Sequence, residues 1–164
     1  MSLFQTDAWQ SAWWETWGVN NGLELIRGWG DSKTGIYTST YLIKGFLPVR
    51  SIEFVGSNYR KIRSTRTEYN TFAAANEPPA GAVHQLKKLM DRHPWAEAIF
   101  NDLRGDSDEV AELLELARNK RWLVRVVAAD TAWQIGTDRT FDHYLKALGR
   151  NTRLRLYNRR TVLE

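Results

Sequence analysis

The chain has 164 residues, of which 43% are hydrophobic and 26% charged, so its composition is that of a globular protein with one substantial core. It contains no cysteine, which excludes disulfides and thiolate metal sites, and it has no apolar run of the roughly 20 residues that a membrane span requires. The net charge is +4 and no secretory signal is visible at the N-terminus, so a cytoplasmic location is expected.

The first predicted element is a helix built around the stretch "AWQSAWWETWG" (8–18), which holds four of the eight tryptophans. Thr6 is suited to cap this helix at its start, and we expect the helix to run to about Trp17. Gly18 then predicts its end.

The tryptophans of this helix are predicted to fill a core. Trp9, Trp13 and Trp17 are four residues apart, which places them on one helical face, whereas Trp14 lies off that face and is expected at an edge or a partner surface. A base-stacking platform needs basic residues among its aromatics, and positions 1–26 contain no Lys or Arg.

Strands are predicted next, from Leu23 to about Gly56. The polar segment "GDSKTG" (30–35) indicates a hairpin between a strand at 23–29 and a second strand at 36–43. A third strand is predicted over 49–55, with Pro48 suited to its start, an edge or a bend. A further short strand is expected over 68–74.

The second half of the sequence alternates between helices and strands. "ANEPPAG" (75–81) is a break, and a helix is predicted from Ala82 to Arg92 because Pro94 disfavours helical backbone before it. A strand over 96–103 follows. Asp106 and Glu109 then have the spacing of a capping box at the start of the next helix. The stripe predicted to be buried on that helix consists of Val110, Leu113, Leu114 and Ala117.

Two strands, over 122–129 and 131–135, and a helix from about Asp138 are predicted after it. Gly149 is expected to end that helix, and Asn151 to cap the arginine-rich one that follows. The predicted fold class is therefore α/β (α+β), a mixed and largely antiparallel sheet flanked by helices, with a tryptophan-rich N-terminal helix. The domain limits are placed at 1–149 and 150–164.

The segment from Arg150 onward carries the positive excess of the chain. Its five arginines face one acid, whereas bases and acids are equal in number before it. Guanidinium groups bind phosphate well, so these side chains are candidate contacts for a phosphate or an acceptor substrate: Arg150, Arg153, Arg155, Arg159 and Arg160. The alternative is a helix with a solvated charged face.

No catalytic signature is visible. The sequence lacks the nucleophile elbow G-x-S-x-G, the phosphate loop G-x-x-x-x-G-K-[ST] and the dinucleotide motif G-x-G-x-x-G. His84, His93 and His143 are too scattered for a metal site, so no metal is expected.

Both ends of the chain resemble one bacterial family. "FQTDAWQSAWWETWG" (4–18), the Leu47-Pro48 pair and "IEFVG" (52–56) are similar to the opening of the CelD-like family, labelled cellulose-biosynthesis, within the GNAT acyltransferase superfamily. "FDHYLKALGRNTRLRLYNRRTVLE" (141–164) looks like the family's phrase of a helix, a break and an arginine-rich helix.

The resemblance implies a GNAT-like N-terminal domain in a tandem, FemABX-like arrangement, with the arginine-rich helix leading to a second GNAT-like domain. It implies N-acetyltransferase-like chemistry for the full-length protein, in which an amine of a small molecule or peptide attacks an acyl-CoA, such as acetyl-CoA. The pyrophosphate motif [QR]-x-x-G-x-[GA] is missing from the equivalent loop, "NEPPAG", where two prolines remove N–H donors.

The sequence therefore favours a non-catalytic half that helps to form the acceptor groove, does not bind acyl-CoA tightly and is inactive alone. Two alternatives stay open: a stand-alone module that binds a polyanion or nucleic acid through the arginine helix, and a complete small acyltransferase with a degenerate motif. Because the N-terminal helix lacks basic residues, nucleic acid is the less expected partner. An apolar face left by a missing domain would also permit a homodimer.

Overall fold

The computed structural model of the chain describes residues 2–58, 60–62, 64, 66–127 and 140–152, with the backbone alone for 141, 142 and 145. The chain forms two compact units, the first ending at Val126 and the second beginning at Val127. The first unit contains a four-stranded, mostly antiparallel sheet with helices, including the tryptophan-rich N-terminal one, which confirms the predicted fold class. The domain limits 1–149 and 150–164 stay a prediction.

The regular elements are the following, in chain order: helix α1 (Asp7–Trp13), strands β1 (Glu24–Arg27), β2 (Ile36–Ile43) and β3 (Leu47–Phe54), helix α2 (Pro79–Arg92), strand β4 (Glu97–Ile99), helix α3 (Asp108–Asn119) and, in the second unit, helix α4 (Phe141–Ala147). The sheet has the order β1-β2-β3-β4. The first two pairs of strands are antiparallel and the β3–β4 pair is parallel.

The two hairpins have tight turns. In the β1–β2 turn, Asp31 and Ser32 have φ values of 50° and 65°, and the Lys33 amide donates to the Gly30 carbonyl at 2.9 Å. Two central residues with positive φ define a type I′ turn, whose twist matches that of the strands. The predicted hairpin is thus confirmed.

The third strand begins at Leu47, two residues before the predicted start. Its pairing with β2 extends to Leu47 opposite Ile43, and Pro48 lies opposite Leu42. Proline is tolerated there because β4 pairs with β3 only from Ser51 to Glu53, so no ladder bond to β4 is lost.

The two faces of the sheet support two separate hydrophobic clusters. Alternation along β2 sends Ile36 to one face and Tyr37 to the other. Ile36, Ile52 and Phe54 pack with residues of α2, including Leu86 and Met90. On the opposite face, Tyr37 packs with Trp13, Leu23 and Val55.

Helix α1 starts as predicted, because the Thr6 hydroxyl accepts a hydrogen bond from the Trp9 amide. It does not end at Gly18. A π turn (Trp14–Gly18) and a 3-10 turn (Val19–Asn21) continue it, and Gly22, with a φ of 61°, ends it.

The predicted tryptophan stripe packs inward: Trp13 lies in the buried cluster around Tyr37, and Trp17 packs against that cluster. Trp14 differs from the prediction, because it lies against the Tyr37 ring, with 6.0 Å between centroids, and packs on the same cluster instead of remaining at a partner surface. Trp13 is buried and stacks on Tyr37 at 5.8 Å. Trp9 is half-buried, and its indole N–H donates to the Thr67 hydroxyl at 3.1 Å.

Helix α2 begins at Pro79, three residues before the predicted start, because proline fits the first helical position. It ends at Arg92 as predicted, with His93 in extended backbone before Pro94. The strand predicted over 96–103 is regular only at Glu97–Ile99.

The segment predicted as a strand over 68–74 forms a single bridge, from Asn70 to Leu103. Tyr69 and Asp102, each with a φ of 58°, interrupt the extended backbone beside it. The strand predicted over 122–129 is absent from its described part, 122–127. The strand over 131–135 and the helix start near Asp138 lie outside the described residues.

Candidate functional site

Of the predicted phosphate or acceptor contacts, the structure describes Arg150 alone, and its side chain is exposed. Arg153, Arg155, Arg159 and Arg160 lie outside the described residues, so their role stays a prediction. The backbone of 150–152 is helical, which places Asn151 inside the helix, and its predicted role as the cap is wrong.

One polar site in the first unit is a row of buried side chains on the sheet face that carries Tyr37. Ser39, Ser51 and Glu53 lie on this face, and all are buried. The Ser51 hydroxyl donates to Glu53 Oε1 at 2.8 Å, and the Ser39 hydroxyl oxygen lies 3.0 Å from that of Ser51. We call the side chains of Tyr37, Ser39, Ser51 and Glu53 the polar row. Buried polar groups need such partners because unpaired ones are costly.

Tyr37 closes the inner end of the polar row. Its hydroxyl donates to the Ser57 carbonyl at 2.6 Å and accepts from the Asn58 amide at 2.9 Å. Burial is the main cause that raises the pKa of Tyr37 far above its ordinary value, and the negative charge of the nearby Glu53 carboxylate is the second. The phenol therefore stays neutral and acts as a hydrogen-bond donor.

The outer end of the same face reaches solvent at a three-residue cluster. The Tyr41 hydroxyl donates to Glu97 Oε1 at 2.6 Å. Two guanidinium nitrogens of Arg60 donate to the two oxygens of Glu97, each at 3.2 Å, and Arg60 lies over the Tyr41 ring at 5.5 Å. We call Tyr41, Arg60 and Glu97 the outer cluster.

The carboxylate of the outer cluster is accessible. The Glu97 side chain is 26% exposed and that of Arg60 42% exposed. Partial burial is the main cause that raises the pKa of Tyr41, and its hydrogen bond to Glu97 is the second. The Tyr41 hydroxyl orients the Glu97 carboxylate, and this carboxylate binds the Arg60 guanidinium. The arrangement can therefore bind a cationic group.

A second polar site joins the β1–β2 turn to the start of α2. Glu77 Oε2 lies 2.8 Å from the Lys33 ammonium and accepts a hydrogen bond from the Ala74 amide at 3.2 Å. The hydrogen bond from Lys33 is the main cause that lowers the pKa of Glu77. A cleft of about 400 Å³ lies beside the pair, lined by residues 31–33 and 74–77. The pair is mostly buried, with side-chain exposures of 19% and 13%.

A third group of charges has a structural role. The Arg27 guanidinium donates to the Thr34 carbonyl at 2.6 Å and to the Phe72 carbonyl at 3.4 Å, while Glu109 accepts from the Phe72 amide at 3.0 Å. Burial lowers the pKa of Arg27 to about 10, although Glu77 and Glu109 act in the opposite direction. These two side chains fix the segment around Phe72 from both sides.

The histidines do not converge. His84 is exposed on α2, His93 follows that helix, and His143 is on α4 in the second unit. Within the described ranges, no group of three or more His, Asp or Glu side chains has the geometry of a metal site. Nor does any helix in this part of the chain have the length and apolar character needed to cross a bilayer.

Neither the family models nor the curated proteins nor the solved structures include a significant match to this chain.

Sequence reasoning did not identify the polar row or the outer cluster. The available signal was "SIEF" (51–54), in which an acid interrupts a strand with apolar neighbours. The pairing of Tyr41 with Glu97 had no local signal, because 56 positions separate the two residues in the chain.

Proposed function

We propose that this chain is the N-terminal, non-catalytic half of a CelD-like, GNAT-type acyl-CoA N-acyltransferase, in which it helps to form the acceptor groove. The resemblance at both ends of the sequence is the starting point. The order of elements supports it, since an N-terminal helix is followed by a β-meander, a helix, a parallel strand and a helix.

The observation that carries the proposal is the start of α2, the place where an acyl-CoA pyrophosphate would be bound in the superfamily's pattern. Pro78 and Pro79 have no N–H, and the amides of Gly81 and Ala82 donate to the Pro78 carbonyl at 2.9 and 3.3 Å. A phosphate site at a helix start needs such amides directed at the ligand.

Glu77 adds a second obstacle to phosphate binding. Its side chain lies beside Gly81, so that a Cβ at Gly81 would be 3.6 Å from Glu77 Cγ. A pyrophosphate at this helix start would face that carboxylate, and like charges at short range repel. This geometry supports the proposal that the chain is a non-catalytic half and that a second domain binds acyl-CoA.

The outer cluster suits the acceptor side of the reaction. An amine acceptor at neutral pH carries an ammonium group, and the Glu97 carboxylate already holds a cation, Arg60, at the surface. In the proposal, the acceptor ammonium takes the place of the Arg60 guanidinium on Glu97. Tyr41 keeps the carboxylate oriented by its hydrogen bond.

Calorimetric titration of the 164-residue chain with acetyl-CoA tests the assignment of the acyl-CoA site. We expect a Kd weaker than about 1 mM. A micromolar Kd would contradict the proposal and favour a complete small acyltransferase. Binding of single-stranded nucleic acid with a steep salt dependence would instead favour the polyanion-binding alternative.

The acceptor role is tested in the protein encoded by the whole reading frame, by following CoA release with a panel of amines. We expect Glu97→Gln to raise the KM for the amine by about tenfold, because it removes one charge-assisted contact. Asp91→Asn is the matched control, since Asp91 forms an exposed pair with Lys87 on α2. Equal KM values for the two variants, or no acyl-CoA-dependent activity, would refute the role.

A further inference from the structure

The tip of the β2–β3 hairpin is unusually apolar for an exposed segment. Every residue from 42 to 48 is exposed. Four large apolar side chains lie there, and they are 57%, 40%, 74% and 51% exposed at Leu42, Ile43, Phe46 and Leu47 respectively. We call these four side chains the apolar tip. Contiguous exposed apolar side chains of this kind mark interaction sites.

The apolar tip belongs to a two-stranded ribbon. Strand β1 pairs with β2 only up to Thr38, and β4 pairs with β3 only from Ser51, so no other described strand flanks the outer part of the hairpin. Alternation places Leu42 on one face of this ribbon and the opposed pair Ile43 and Leu47 on the other. Apolar side chains therefore project from both faces.

A flat protein surface would cover only one of those faces. The interfacial layer of a lipid bilayer surrounds an inserted ribbon on both faces and at its end. Because the outer backbone edges of the ribbon need water as hydrogen-bond partner, the ribbon can enter the headgroup layer but not the hydrocarbon centre.

The dimensions agree with shallow insertion. The apolar tip comprises the last two residues of β2 and, across the turn, Phe46 with the first residue of β3. At about 3.3 Å per residue these positions span about 7 Å along the ribbon. Apolar groups of interfacial elements reach about 5–10 Å into the boundary between headgroups and acyl chains.

The charges around the tip match an anionic surface. No Asp or Glu occurs from Ile36 to Ile52, and Lys44 is exposed in the turn itself. Arg50, at the base of the ribbon, is paired with Glu24. An ammonium in the headgroup layer contacts lipid phosphates, and a basic residue near an anionic leaflet contributes about fivefold to binding.

We propose that the apolar tip inserts into the headgroup layer of a membrane that contains anionic lipid, with Lys44 on the lipid phosphates. The contact attaches the protein to the membrane surface and does not depend on the acyltransferase assignment. Its test uses neither acyl-CoA nor amine, so the two proposals succeed or fail separately.

Co-sedimentation of the 164-residue chain with phosphatidylcholine vesicles, with and without 30% phosphatidylserine (on the order of a cytoplasmic leaflet's anionic surface), measures the attachment. We expect Phe46→Ser to lower the partition coefficient by at least about tenfold. Val19→Ser is the matched control, because Val19 is 64% exposed but lies outside the hairpin. Both variants should keep the melting temperature of the parent chain.

Lys44→Gln separates the electrostatic contribution from the apolar one. We expect it to weaken binding about fivefold on the anionic vesicles and to leave the neutral ones unchanged. An equal effect on both vesicle types would contradict a contact between Lys44 and lipid phosphate.

A site-specific reporter follows from the absence of cysteine in the chain. Phe46→Cys, labelled with an environment-sensitive dye, should shift its emission to the blue when anionic vesicles are added, whereas the same dye on Val19→Cys should not. No sedimentation with either vesicle, or equal loss in the Phe46 and Val19 serine variants, would overturn the proposal. A dimer that dissociates on Phe46→Ser without vesicle binding would also overturn it and assign the tip to a second copy.

Discussion

At the scale of single residues, two glycines lie where any larger side chain would overlap a neighbouring one. Gly18 has an ordinary helical φ of −64°, but a Cβ there would lie 2.5 Å from the Trp14 indole. Its role is therefore to make room for a tryptophan. Gly56 combines a φ of 97° with a Cβ position only 1.5 Å from the Thr67 hydroxyl, so it needs both the conformation and the space.

Substitution of Gly56 tests whether it needs the space as well as the conformation, with Gly22 as the matched control. We expect Gly56→Ala to lower the free energy of unfolding by about 3 kcal/mol or more, because strain and overlap add. Gly22→Ala, at a φ of 61° with open space around the Cβ position, should lower it by about 1–2 kcal/mol. Urea unfolding followed by tryptophan fluorescence measures both. Equal losses would show that overlap with Thr67 is not the main term.

At the scale of elements, helix α3 illustrates how one acid is diverted from a local role. The sequence pattern predicts a capping box of Asp106 with Glu109. The structure corrects this: the Ser107 hydroxyl accepts from the Val110 amide, and Asp106 is paired with Arg104. Glu109 is buried and accepts a hydrogen bond from the Phe72 amide. A charge-assisted hydrogen bond in this buried position is stronger than one at a solvated helix cap.

Two variants distinguish the predicted cap from the observed one. Ser107→Ala should lower the free energy of unfolding by about 1 kcal/mol, because a helix N-terminal amide loses its acceptor. Asp106→Ala should change it by less than about 0.5 kcal/mol, since its ion pair is exposed. Thermal and urea unfolding of the two proteins, side by side, measure the difference. A larger loss in the Asp106 variant would restore the capping-box interpretation.

At the scale of the whole molecule, both hydrophobic clusters belong to the first unit. One joins the sheet to α2 and α3, and the other joins it to the tryptophan-rich helix. Among the residues that the structure describes, the last one that contributes to either cluster is Trp122, which comes before the limit of the first unit at Val126. Apolar burial is the main favourable term in folding, so we expect the first unit to fold without the second.

A chain that ends at Val126 should therefore unfold in one cooperative transition. Far-ultraviolet circular dichroism and tryptophan fluorescence should give coincident melting curves, as expected for a two-state domain. The 164-residue chain is the reference. Non-coincident curves, or a broad transition in the shorter chain, would show that residues after Val126 complete one of the clusters.

The type of an element, helix or strand, was predictable where the hydrophobic periodicity or a turn signal is strong. It was less predictable where contacts between residues distant in the sequence determine the structure. Strand β2 and the end of α2 agree with the prediction, because a β-rich run after a turn and a proline after a helix act locally. By contrast, the run at 122–127, which is rich in Val, forms no strand, and the Leu123 side chain is 100% exposed. A strand needs a partner, and β-propensity alone supplies none.

The sequence by itself determined the fold class, the capped start of the tryptophan-rich helix and the β1–β2 hairpin, because periodicity, caps and turn residues act over a few positions. Only the tertiary structure decided that Trp14 packs inward, that Glu109 leaves its cap, and that Tyr41, Arg60 and Glu97 meet at one surface. These outcomes depend on which residues lie opposite each other across the sheet. Such contacts join residues tens of positions apart, and no local pattern encodes them.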